Sequence, residues 1–151
     1  MRIARDGTWH YRGSPINRKP LVKLFSSVLR RETDGSYWLV TPVERGRISV
    51  EDAPFTAVEL DASGQGREQI LRFRTNLDEP VEAGPEHPIR VVQDPDSEAP
   101  RPYIMVRDGL EALLLRQVFY QLVELAVPSD DREEVIGVWS KGRFFPLGAW
   151  R

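Results

Sequence analysis

Five arginines stand where periodic elements of the chain begin or end: Arg18, Arg45, Arg47, Arg74 and Arg107. A guanidinium presents its donors in a fixed planar fork that matches the oxygens of phosphate and carboxylate, so such residues read as anion holders. Tyr103 and Arg107 fall on one face of the same extended run, which puts an aromatic ring beside a cation, as a base and its phosphate would require. Asp52 and Asn76 add short polar groups able to read the edges of a ligand. The chemistry this set supports is recognition of a small anion, with Arg47, Arg74 and Arg107 on phosphate, Tyr103 stacking, Asp52 or Asn76 on polar edges, and Arg18 as a further candidate. The competing reading is that each arginine neutralises nearby acids or caps an element end.

Covalent chemistry has little to work with. The chain has no cysteine, which removes disulfides, thiolate metal sites and a cysteine nucleophile together. Its two histidines, His10 and His87, cannot build an all-histidine or H-E-x-x-H metal site. Gly64-x-Gly66 lacks the third glycine and the following helix of a dinucleotide loop, and it reads as a hairpin turn. Asp94-Pro95-Asp96 reads as solvated linker rather than a cation site, and the acid pairs Asp78-Glu79, Asp130-Asp131 and Glu133-Glu134 fall in loops. There is no G-x-S-x-G elbow and no P-loop. The expectation is a non-enzymatic protein without cofactor or metal, an enzyme of unfamiliar type being the third choice.

Net charge is only −2, but residues 1–50 hold ten Lys/Arg against four Asp/Glu, residues 51–100 four against twelve, and residues 101–151 seven of each. Basic and acidic thirds that face each other across a fold explain this better than a nucleic-acid surface, and duplex binding is not expected. The opening MRIARDGTWHYRG lacks the apolar run of a signal peptide, and no window approaches the ~20 apolar residues of a membrane span. A cytoplasmic location is the expectation.

The elements that must position these residues are short. Thr8–Tyr11 reads as a strand, followed by a helix from Pro20 to Glu32, with Leu21, Leu24, Phe25, Val28 and Leu29 on one face. Strands follow at 37–40 and 47–50, the latter entered by a turn at Arg45-Gly46. Phe55–Leu60 and Gln69–Thr75 form a hairpin with Val58, Leu60, Leu71 and Phe73 facing inward. After an acidic, proline-rich stretch with apolar pieces at Val81 and 89–92, Tyr103–Val106 is a strand that leads into the longest apolar run, DGLEALLLRQVFYQLVELAV. That run reads as a helix over 108–127, capped by Asp108 with Glu111 in the capping-box position and stopped by Pro128. The tail returns to strands at 135–139 and 144–147 around a Lys141-Gly142 turn.

Leu21–Leu29 aligns without gaps on Leu115–Val123, and Gly46-Arg47-Ile48 on Gly142-Arg143-Phe144, with the offset drifting from 94 to 96 residues. Read as a duplication, this places two related strand-helix-strand units around an antiparallel sheet: 1–50, then 51–99 as strands and connector, then 100–151, with 51–151 also readable as one lobe. A cleft where two units meet is a usual place for a ligand.

The strings DGTWHYRGSPI (Asp6 to Ile16), DGSYWLVTPVERGRI (Asp34 to Ile48), VEDAPF (Val50 to Phe55), FRTN (Phe73 to Asn76), AGPEHPIR (Ala83 to Arg90) and PYIMVRDGLEALLLRQVFYQLVELA (Pro102 to Ala126) resemble the bacterial family of domain of unknown function 1285. The resemblance implies an α+β fold with duplicated motifs, a C-terminal part like pleckstrin-homology domains, and a nucleotide-like ligand between the halves with a role in signalling. It brings no catalytic residues. The combined expectation is an α+β chain with two main helices that binds a small anionic ligand. The alternative is a protein-protein interaction module using a sheet edge or helix groove.

Overall fold

The computed structural model describes residues 1–93 and 99–149, so Asp94-Pro95-Asp96 lies outside the described residues. The N-terminal part contains strands β1 (Arg2–Ile3), β2 (Trp9–Tyr11), β3 (Ser14–Pro15), helix α1 (Lys19–Ser27), β4 (Leu29–Arg31), β5 (Tyr37–Val40) and β6 (Arg45–Val50). There follow β7 (Phe55–Ser63), β8 (Ile70–Thr75), β9 (Pro80–Glu82), β10 (Ile89–Val92), β11 (Arg101–Arg107), β12 (Leu110–Leu114), helix α2 (Arg116–Glu124), β13 (Val127–Pro128), β14 (Val135–Ser140) and β15 (Arg143–Ala149). The fold is α+β, with two α-helices among the described residues.

Two sheets of six strands carry the structure, ordered β3-β2-β1-β6-β5-β4 and β10-β11-β12-β7-β8-β9, and a third sheet is ordered β13-β14-β15. Neighbours pair antiparallel except β1 with β6 and β12 with β7, which are parallel. One core runs through all of it: Ile3, Trp9 and Leu29 from the first sheet join Phe55, Phe73, Ile104 and Leu110 from the second, and Val138 from the third. Ser140 fastens the third sheet to the second. Its hydroxyl accepts from the Leu71 amide at 2.9 Å and donates to the Ala83 carbonyl at 2.7 Å.

The apolar run at 108–127 is only partly helical. Asp108 and Gly109 both have positive φ, 48° and 80°, as a two-residue type I′ turn requires, and they join β11 to β12 as a hairpin. Asp108 therefore caps no helix. Leu110, Ala112 and Leu114 are buried on one face of a central strand and Glu111 on the other, with Leu113 half-buried, and such a strand reads as a near-continuous apolar run that periodicity cannot tell from a helix. Only Arg116–Glu124 is helix, with Val118 and Leu122 buried.

Helix α1 likewise ends early, at Ser27 rather than Glu32, because Leu29–Arg31 pairs with Tyr37–Leu39 across the Asp34-Gly35 turn. Ladder pairing there overrides helical spacing. Arg45-Gly46 is not a turn: both residues lie in β6, opposite Val40 and Leu39, and the connection is made at 41–44. Lys141-Gly142, by contrast, does turn the chain, with φ of 50° and 76°. A bulge between Ala57 and Glu59 reverses the alternation of β7, so Phe55 and Ala57 are buried while Val58 and Leu60 are half-buried.

Candidate functional site

The two parts of the chain meet along a seam lined with polar groups. At one end of β11, Arg107 donates from Nη2 to the Ser26 carbonyl in the last turn of α1 at 3.1 Å. It also stands 3.5 Å from Glu79 and lies over the Phe55 ring. A cation on the last carbonyls of a helix complements its dipole, so Arg107 fixes α1 to the second sheet. Asn76 accepts from the Thr56 amide at 3.1 Å and donates to the Gly7 carbonyl. Gly7 has a φ of 90°, and a Cβ there would come within 2.7 Å of Asn76 Nδ2, so this approach needs a glycine.

Arg74 is held by Glu59 through Nε and Nη2, at 3.1 and 2.8 Å, and by Asp78 at 3.0 Å. Asp78 also meets Lys19 and Lys23 of α1, each at 3.0 Å, and those two hydrogen bonds hold its carboxyl down to about 2. Arg74, Asn76 and Arg107 thus lie along the seam, each engaged with protein groups. Arg18 precedes α1 with an exposed side chain, and Arg47 is exposed in β6 opposite Trp38. Arg45 stacks on Trp38 at 4.4 Å and pairs with Glu32 at 2.8 Å. The arginines singled out by sequence do not converge on one point.

Asp52 and Tyr103 do come together. The Tyr103 hydroxyl donates to Asp52 Oδ1 at 2.5 Å, and burial together with this bond pushes the phenol up to about 12. Behind Tyr103, the Arg90 guanidinium lies 4.6 Å from the ring centroid and donates to both oxygens of Glu111, at 2.7 and 2.8 Å. Glu111 is only 7% exposed. The chain Glu111, Arg90, Tyr103, Asp52 runs across β12, β10 and β11 to the residues after β6, and it ends on the wall of a cleft of about 360 Å³. That volume lies in the range of small-molecule sites.

Arg5 and Asp52 line the cleft from the N-terminal part, and Pro100–Pro102, Leu113, Leu114, Arg116, Phe119 and Tyr120 from the C-terminal part. Its walls hold two buried polar atoms with no hydrogen-bond partner, Asp52 Oδ2 and Arg101 Nε. Helix α2 begins there at Arg116 with no side-chain cap and no acid in its first turn. A depression of similar size over Glu59, Asp61, Arg72, Arg74 and Asp78 is walled by ion pairs that satisfy one another.

Sequence reading missed Arg5, Arg101, Arg116, Arg90 and Glu111. Arg101 shares a strand face with Tyr103 and was within reach of alternation. Arg116 becomes a helix start only once the helix is known to begin there. Arg5 and the Arg90–Glu111 pair are brought in by strand pairing alone.

Family comparison fits the seam. Residues 1–53 match the N-terminal domain model of a family described as domain of unknown function (DUF1285), and residues 54–147 match its C-terminal domain model. No protein with a curated description matches the chain. The crystal structure of a DUF1285 family protein from Silicibacter pomeroyi DSS-3 is 52% identical, covers 99% of this chain and 79% of its own, and superposes with a TM-score of 0.92. A second, from Shewanella baltica OS155, is 28% identical over 82% of this chain and 89% of its own, with a TM-score of 0.62. Asp52 thus closes one family domain while Tyr103 and Arg116 come from the other, and the chain belongs to the DUF1285 family.

Proposed function

We propose that this protein is a non-enzymatic cytoplasmic binding module that takes a small anionic, nucleotide-like ligand in the cleft between its two domains, in a regulatory role. The observation that carries this reading is two buried polar atoms without a hydrogen bond, Asp52 Oδ2 and Arg101 Nε, on residues that line one cleft. Buried polar groups are almost always paired, so two orphans of opposite character in one place favour a missing partner. Arg5, Arg101 and Arg116 supply the positive charge, and Tyr120 and Phe119 supply aromatic surface. Arg107 and Asn76 hold the two domains together, and Arg74 holds Asp78, which meets Lys19 and Lys23 of α1.

The duplication belongs to the same reading. In each half a hairpin precedes the helix and an antiparallel three-stranded meander follows it, β4-β5-β6 after α1 and β13-β14-β15 after α2. The differing placement of Gly46 and Gly142 limits the correspondence to the order of elements. The pleckstrin-homology likeness of the C-terminal half rests on its mostly antiparallel sheets packed with one helix.

A thermal-shift screen against mono-, di- and cyclic nucleotides tests the reading. A ligand at ~100 times its dissociation constant adds about 2.7 kcal/mol of stability, which a melting curve resolves. The expected outcome is a rise for at least one nucleotide, abolished by Arg116→Ala. No rise with any nucleotide, together with recovery of a defined protein partner, favours the interaction module instead. The exposed apolar residues Tyr120, Val123 and Val127 around α2 are the surface such a partner would use.

A further inference from the structure

The cleft contains a group that a plain anion site would avoid, namely a carboxylate. The Asp52 side chain is only 6% exposed, its Oδ1 is committed to Tyr103, and its Oδ2 has no hydrogen-bond partner. The cation beside Oδ2 is Arg5 Nε, at 3.9 Å, which is beyond hydrogen-bond reach. The Arg5 side chain is 71% exposed, so it covers the carboxylate without being packed in place. Its backbone, by contrast, is anchored by the amide's hydrogen bond to Glu51 at 2.9 Å. The Glu111–Arg90–Tyr103 chain holds Asp52 from behind and keeps Oδ2 from turning away.

Among the described residues on the same walls, the charged side chains other than Asp52 are all donors: Arg101 with its buried Nε, Arg116 and Arg5, and α2 begins there without a side-chain cap. An ionised carboxylate only accepts, and a guanidinium only donates. A molecule that satisfies both needs two ends. A phosphomonoester dianion with no other polar group would meet Arg101 and Arg116 but would lie near a buried negative charge and offer Oδ2 no donor, which costs binding.

Building on the nucleotide-like reading above, we propose that Asp52 makes the cleft selective for two-ended ligands. One end is an anionic group, phosphate or carboxylate, placed at Arg101, Arg116 and the α2 N-terminus. The other is an amine or a pair of hydroxyls that donates to Asp52 Oδ2. Such a ligand enters as Arg5 swings off the carboxylate. Plain oxyanions are rejected by the same residue.

Two probes separate the ends: O-phosphoethanolamine carries phosphate and an ammonium, while ethyl phosphate carries the same phosphate without it. Calorimetric titration of the full chain is expected to show phosphoethanolamine binding about ten-fold tighter or more, the size of one charge-assisted hydrogen bond. Asp52→Asn keeps an acceptor for Tyr103 but offers an amide donor to the cleft. It should bring the two affinities close together and tighten ethyl phosphate. Arg5→Ala, at an exposed side chain, should widen the difference in favour of phosphoethanolamine, and it serves as the test if Asp52→Asn lowers the melting temperature sharply. Equal affinity of both probes for the wild type, unchanged in Asp52→Asn, overturns the selectivity while leaving an anion site in the cleft. If neither probe binds but a nucleotide raises the melting temperature, the selectivity again fails and the broader reading stands. Failure of probes and nucleotides alike removes both.

Discussion

Two charged clusters sit on the seam between the domains, and they differ in completeness. Around Asp78, three cations from α1 and β8 surround one exposed carboxylate, and Arg74 is closed off on its other side by Glu59. Around Asp52, the polar chain has an exposed Arg90 but buried Glu111, Tyr103 and Asp52 side chains, and it ends in an oxygen without a hydrogen bond. The Asp78 cluster works in water, where ion pairs are screened and each is worth little. The Asp52 cluster lies where an unmade hydrogen bond is costly and a ligand that makes it gains correspondingly. In the first cluster completeness goes with exposure, and in the second an unmade hydrogen bond goes with burial.

The contrast can be broken in order of effect. Leu122→Ala removes a fully buried side chain of α2 beneath the helix face that lines the cleft, and it should cost about 3 kcal/mol in urea unfolding. Nucleotide-induced shifts should disappear with it while the Asp78 clasp keeps its pairs. A loss under 1 kcal/mol would mean that α2 is loosely packed, and the cleft would then lack a rigid wall.

Tyr103→Phe deletes the donor to Asp52 and leaves both carboxylate oxygens without a partner, at a cost of about 1–3 kcal/mol near neutral pH. It also changes the alkaline limb. The phenol is raised from 10.0 to about 12 in the folded state, so its stabilising contribution is whole below pH 10 and is lost as pH rises towards 12. Unfolding at pH 9 and 11.5 should show the wild type losing this contribution and the phenylalanine variant having none to lose. Parallel pH dependence in the two proteins would place the hydroxyl in water.

The smallest effect belongs to the clasp. The Asp78 carboxyl is lowered from 3.8 to about 2, so its contribution is present above pH 4 and fades as pH falls towards 2. Asp78→Asn should lower melting at pH 7 only slightly, as expected for exposed ion pairs, and flatten the acid limb between pH 4 and 2 by the same small amount. A large loss at pH 7 would mean that the clasp is structural in its own right, and the division between the two clusters would fail.

What the chain spells out locally was legible. Strands at Trp9–Tyr11, Tyr37–Val40, Ile70–Thr75 and Val135–Ser140 follow from β-branched and aromatic residues between turn signals, and the turn at Lys141-Gly142 follows from its chemistry. The family strings were legible for the same reason, being contiguous. Asp108-Gly109 carried two signals at once, a cap and a hairpin turn, and only the partner strands decided between them. In the same way Leu29–Arg31 has helical spacing until Tyr37–Leu39 lies beside it.

By itself the sequence determined the α+β composition, the two amphipathic helices and the lack of thiol chemistry. Tertiary structure alone decided which charges face which. Arg74 and Arg107 became clasps because Glu59, Asp78 and the end of α1 reach them. Arg5, Arg101 and Arg116 line one cleft because strand pairing brings three distant segments together beside a carboxylate. Whether a charge is spent within the fold or left for a ligand depends on distance and burial, and neither is written in the order of residues.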